Sequence, residues 1–129
     1  MALDLSNYKK DKDKYEYVDY FIRFLEEQNP PKLKYLFVDE AQDLSAQQWD
    51  VVDMIQKKSG AEQTYIAGDD DQAIFRWAGA DIEHFIAMAK DDTNTIIPLT
   101  QSYRVPVSVH TIATKLAQSI SQRIPKEYK

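Results

Sequence analysis

Residues 35–45 read YLFVDEAQDLS, an apolar run that ends on two adjacent carboxylates, Asp39 and Glu40, with Gln42 and Asp43 close behind. A carboxylate leaving the end of a strand can hold a divalent cation beside phosphates, directly or through water. A second carboxylate one residue on can orient an attacking water, the division of labour that phosphoryl transfer needs. The plainer role for Asp39 and Glu40 is solvated charge at a strand end, with Asp43 favouring the start of the next helix. The Gln42-Asp43 extension tips the reading toward phosphoryl transfer.

A second unusual stretch, GDDDQAIFRWAGAD, spans residues 68–81. Asp69, Asp70 and Asp71 repel one another unless they are solvated, capped or set against a cation. Gln72 both donates and accepts, which suits it to a terminal phosphate or a water. Phe75 and Trp77 alternate with Arg76, so on an extended backbone both rings face one side. Bases stacked on such rings gain ~1–3 kcal/mol each with little dependence on base identity. Two roles fit Phe75 equally: a base platform, or a plug in the core beneath the loop. For Trp77 the open surroundings left by Gly79 favour the platform. A third stretch, TQSYRVP at 100–106, offers Tyr103 for stacking and Arg104 to neutralise charge on a transferring phosphoryl group. The plainer alternative is a surface ion pair and a packed tyrosine.

One part of a nucleotide site is missing from the sequence. Its three glycines lie at positions 60, 68 and 79, and none precedes a lysine, so no G-x-x-x-x-G-K-[ST] phosphate loop is present. There is no cysteine, which excludes disulfides and thiolate metal sites, and only two histidines, so any metal falls to carboxylates. The formal net charge of -5 argues against a basic nucleic-acid wrapper but allows a channel with aromatic platforms. No apolar run approaches a membrane span and no signal peptide opens the chain, so no membrane partner and a cytoplasmic location are expected.

The elements that must carry these residues follow from periodicity. Tyr15–Glu27 has a helical apolar face (Tyr17, Val18, Tyr20, Phe21, Phe24, Leu25), with Asp13 and Glu16 as a capping box and Asn29-Pro30-Pro31 as a stop. Leu33–Val38 reads as a short buried strand. Ser45 caps a helix striped with Trp49, Val52 and Ile55 that Gly60 ends. Thr64–Ala67 reads as a second strand, and Asp81 caps a helix with Ile82, Phe85, Ile86 and Ala89. Thr95–Leu99 reads as a third strand, and Pro106 opens a last helix with Val109, Ile112, Ala113, Leu116 and Ile120 on one stripe. Alternating strands and helices predict an α/β fold with a parallel sheet flanked by helices. Ligands of such sheets sit at the carboxyl ends of the strands, where all three unusual stretches fall. Asp39, Glu40, Gln72 and Arg104 are therefore expected at one sheet edge.

Taken together, VDEAQD at 38–43, GDDDQAIFRWAGAD at 68–81 and LTQSYRVP at 99–106 resemble motifs II, III and IV of superfamily 1 DNA helicases of the UvrD/Rep/PcrA type. The likeness covers roughly residues 15–122, with the motifs in the expected order and spacing. It implies a partial RecA-like, P-loop NTPase type fold. Residues 1–92 would be the C-terminal half of the first motor domain and 93–129 the start of the second. It implies ATP and Mg²⁺ in the complete protein, with Asp39 and Glu40 at the metal and Glu40 as general base for the hydrolytic water. Gln72 would sense the γ-phosphate, Arg104 would contact it, Tyr103 would pack on the adenine and Trp77 would stack on a base of single-stranded DNA. Phe75 stands where the family usually has Tyr. Asp39, Gln42 and Tyr103 would line the nucleotide site. Ala78, Ser102 and Val105 depart from the usual Arg, Asn and Ser.

The implied function is that of a fragment of an ATP-dependent DNA helicase or translocase, inactive alone without the phosphate loop. Its expected partners are single-stranded DNA and the remaining helicase domains, with homo-oligomers possible through incompletely covered surface. Two alternatives are a free-standing, non-enzymatic module derived from a helicase that binds nucleic acid or protein, and a metal-dependent phosphohydrolase using Asp39, Glu40 and Asp69–Asp71.

Overall fold

A computed structural model describes residues 15–121 and 123–126. Helix α1 (Tyr17–Glu27) begins with a reciprocal box one turn later than the sequence suggested. The Glu16 side chain accepts from the Asp19 N–H, and Asp19 Oδ2 accepts from the Glu16 N–H at 2.8 Å. Asp13, the expected cap, lies outside the described residues. Gln28 turns left-handed at φ 48° and closes the helix onto the Phe24 carbonyl ahead of the two prolines.

Strand β1 (Tyr35–Val38), helix α2 (Ala46–Lys58) and strand β2 (Gln63–Ile66) form one crossover unit. The strands pair in parallel, Tyr35 with Gln63 through Val38 with Ile66, as a two-stranded sheet. After the sheet in sequence come α3 (Ile82–Lys90) and α4 (Val107–Ala117), so the described residues combine helices with a small parallel sheet.

Two expectations about strands are corrected. The first concerns burial: β1 is not a buried strand, because Tyr35, Phe37 and Tyr65 are all exposed, with the Phe37 and Tyr65 rings stacked at 4.9 Å across the ladder. A parallel strand becomes buried only when both sheet faces are covered, and two strands give little area to cover. The second concerns number: residues 95–99 form no strand, and Ile97 and Leu99 stand exposed. An apolar, β-prone run becomes a strand only where a neighbour accepts its backbone hydrogen bonds, and no ladder partner faces this run among the described residues.

The described residues fall into two compact units, each with its own small core. One comprises 15–38 and Gln47–Ile66, where Trp49 and Met54 of α2 are the buried apolar side chains. The other comprises Asp39–Ala46 and 67–126. There Ala41 is fully buried and Ile82, Phe85 and Ile86 turn one face of α3 inward, as the 3–4 spacing predicts. Asp81 caps α3 by accepting from the His84 N–H at 3.2 Å. By contrast, α4 buries no residue, and its stripe positions Val109, Ile112 and Leu116 are exposed. Every residue expected to do chemistry belongs to this second unit.

Candidate functional site

The first loop is built around Gln42. Glu40 takes a left-handed backbone, φ 52°, and leads into a 3-10 turn at Ala41–Asp43. That conformation costs a non-glycine residue of order 1–2 kcal/mol and persists only where surrounding bonds dictate it. Several do. Asp39 Oδ1 accepts from the Glu40 N–H at 2.9 Å, and the Ala41 N–H donates to the Ala67 carbonyl at 3.0 Å. Gln42 is 1% exposed, and its Nε2 donates to Glu40 Oε2 at 2.8 Å. Its Oε1 accepts from the Asp69 N–H at 3.0 Å. An amide gives a hydrogen to a carboxylate through its nitrogen and accepts one from a backbone N–H through its oxygen, and Gln42 uses both ends to join these loops. The sequence marks Gln42 only as part of a signature; the structure makes it the brace between them.

Gly68 lets the brace form. A Cβ built there would lie 2.8 Å from Gln42 Oε1 and 3.0 Å from Phe85 Cζ. Gly68→Ala must displace the brace or the core phenylalanine, a change that costs about 1–3 kcal/mol. Chemical denaturation should show that loss, and stability equal to the parent chain would refute the close approach.

The second loop continues the network. Asp69 Oδ1 accepts from the Asp71 N–H at 3.2 Å, and Oδ2 accepts from Gln72 Nε2 at 2.6 Å. Glu40, Gln42, Asp69 and Gln72 thus form one hydrogen-bonded chain across the two loops. Glu40 and Gln72 are exposed, while the residues that hold them are buried or half-buried.

Cations set against the three neighbouring aspartates come from near the end of the described chain. Arg123 Nε and Nη2 meet Asp71 Oδ1 and Oδ2 at 2.9 and 2.6 Å, a bidentate pair. Lys126 Nζ bridges Asp69 and Asp70, with Asp71 Oδ2 at 3.4 Å. Asp70 Oδ1 is buried, and its partner is the Lys126 ammonium lying directly against it. The Ile124 N–H completes Asp70 at 2.6 Å. Burial pushes Asp69 up, yet the hydrogen bonds from Lys126 and Gln72, the Lys126 charge and the Asp71 N–H together hold it below its ordinary 3.8. Burial likewise pulls Lys126 down, but its bonds to Asp69 and Asp70 and their charges win, and the ammonium sits well above the usual lysine range. The triple-aspartate run signalled a repulsion to be relieved by solvent, a cap or a cation; nothing local named Arg123 or Lys126.

The remaining expected residues are apart from this network. Trp77 is 84% exposed, Tyr103 is 95% exposed, and Phe75 and Arg104 are exposed as well. No hydrogen bond or ion pair joins Arg104 to the two loops among the described residues. The extended backbone on which the alternation of Phe75 and Trp77 would put both rings on one side is absent, because residues Arg76–Ala78 form a 3-10 turn closed by left-handed Gly79. Arg76 pairs instead with Glu83 on α3. Asp43 accepts weakly from Gln42 at 3.4 Å, and its Oδ1 is buried without a hydrogen-bond partner among the described residues. No group of three metal-ligating side chains occurs among the described residues, and no helix among them is long and apolar enough to cross a membrane.

Comparison with known proteins finds that the UvrD/REP helicase N-terminal domain matches residues 6–93. The chain is 35% identical over 97 residues to the ATP-dependent DNA helicase PcrA of Staphylococcus aureus, covering 74% of this chain and 13% of that protein. It is 34% identical over 96 residues to PcrA of Bacillus subtilis, with the same coverage. It is 35% identical over 95 residues to DNA helicase II of Haemophilus influenzae, again covering 13% of the relative. The chain thus spans only a small part of the length of the relatives it matches.

Proposed function

The chain belongs to the UvrD/REP helicase N-terminal domain family, and on that premise we propose that it is a segment of an ATP-dependent DNA helicase that couples nucleotide hydrolysis to movement on single-stranded DNA. The observation that carries this reading is the chain of hydrogen bonds from Glu40 through Gln42 and Asp69 to Gln72. It makes the two loops one mechanical piece, so a change at the carboxylates of the first is felt at the amide of the second.

In this reading the segments are parts of two RecA-like motor domains, divided near residue 92. Asp39 and Glu40 present exposed carboxylates of the hard-oxygen type that Mg²⁺ prefers, and they would hold it with phosphate oxygens and water. The metal, when bound, would neutralise charge on the nucleotide phosphates. Glu40 takes the proton of the attacking water. Its backbone is pinned by Asp39 and its side chain by Gln42, so it is already oriented. Gln72, held by Asp69, would attend the terminal phosphate, and the exposed ring of Trp77 would stack on a DNA base. Tyr103 and Arg104 act on adenine and phosphate only when the complete motor closes on nucleotide. The remaining helicase domains, or a second copy of the chain, would cover the exposed apolar positions of α4.

The phosphate loop is absent from this sequence, so the 129-residue chain should show no Mg²⁺-dependent ATP hydrolysis, with or without single-stranded DNA. A sensitive phosphate-release assay tests this. Turnover that vanishes in Glu40→Gln would overturn the fragment reading and require a nucleotide site complete in itself.

A further inference from the structure

Arg123 and Lys126 lie 52 and 57 positions beyond the aspartates they grip, yet their side chains are only 16% and 17% exposed, while the other cations among the described residues are exposed. Their partners Asp70 and Asp71 are 0% and 10% exposed. Exposed ion pairs contribute little, but these are shielded, multiply bonded and linked into one network. Breaking such a network strands a buried charge.

Two of the contacts share a single carboxylate. Lys126 Nζ sits on Asp69 Oδ1, while Gln72 Nε2 sits on Asp69 Oδ2 at 2.6 Å. The orientation of Asp69 that serves Gln72 is therefore the one Lys126 enforces. Without the ammonium, Asp69 faces Asp70 and Asp71 with like charge, and rotation about its side-chain bonds relieves the repulsion. That rotation releases Gln72. Arg123 fixes the same turn from its other end through Asp71, and the Ile124 N–H anchors the segment by backbone, independently of either side chain.

We propose that Arg123 and Lys126 are positioning residues that strap the Asp69–Gln72 turn and, through Asp69, set the side chain of Gln72. The proposal deepens the helicase reading, in which Gln72 attends the phosphate. It makes the segment at 123–126 a control point for that residue: whatever draws Lys126 away also frees Gln72.

The test uses the 129-residue chain without nucleotide, followed by NMR. In Lys126→Met, the backbone amides of Asp71 and Gln72 should exchange about tenfold faster, while those of Gln63–Ile66 stay within about twofold, as local opening requires. The Gln72 side-chain amide should move toward the shift of an unbound glutamine. Arg123→Met should accelerate Asp71 more than Gln72, and Lys126→Arg should restore both. If Lys126→Met does not fold, Lys126→Gln, which keeps a donor without the charge, reads the same resonances. Unchanged exchange at 71–72, equal acceleration in β2, or no rescue by Lys126→Arg would each overturn the strap. No nucleotide enters this measurement, so its failure would leave the helicase reading standing, and the failure of that reading would leave the strap standing.

Discussion

Glu40→Gln should reduce ATP hydrolysis by about 10²–10⁴-fold, the contribution of a positioned general base, in a chimera where this segment replaces the matching 97 residues of Staphylococcus aureus PcrA. The structure makes this substitution a clean one. The Glu40 side chain is needed locally only as an acceptor for Gln42 Nε2, and a glutamine carbonyl oxygen accepts equally. The left-handed backbone at residue 40 is set by bonds from Asp39 and Ala41 that do not involve the replaced group. The fold and the brace should therefore survive while the proton acceptor is lost. Steady-state phosphate release at saturating DNA, compared with the unsubstituted chimera, decides the matter. Hydrolysis within about tenfold of the control would remove Glu40 from the base role and return Asp39 and Glu40 to solvated strand-end charges.

Trp77→Ala in the same chimera should weaken binding of single-stranded DNA by ~1–3 kcal/mol, with little base preference. The ring is 84% exposed, so it contributes little to any core, and its removal should leave stability within about 0.5 kcal/mol. That separation of effects distinguishes a platform from a plug. Stimulation of hydrolysis by DNA should fall more than basal hydrolysis, because Trp77 lies five residues from Gln72 on the same loop. Titration at fixed salt is required, since salt alone shifts such affinities strongly. Unchanged affinity in the folded variant would leave this loop without a role in binding nucleic acid.

What the sequence determined by itself was local. The spacing of Ile82, Phe85 and Ile86 and the cap at Asp81 specify α3, because a helix face and its first turn are set by residues within four positions of one another. The order DEAQD, GDDDQ and YR pointed to the family, because residue types suited to phosphate, water and bases are few. Gln42 and Gln72 stood out in it as polar residues, though not as parts of one network.

The tertiary structure decided everything that depends on distant partners. A β-prone run at 95–99 stays unpaired, because pairing belongs to two segments and not to one. Phe75 and Trp77 do not lie on an extended run, because a 3-10 turn takes the place of the backbone their alternation would need. Gly68 is required not by its own φ but by the approach of Gln42 and Phe85. The cations for Asp69–Asp71 arrive from Arg123 and Lys126, more than fifty residues away. Repulsion among three adjacent carboxylates is a local property, but that cations relieve it, which ones, and that one of them shares Asp69 with Gln72 follow only from the chain folding back on itself.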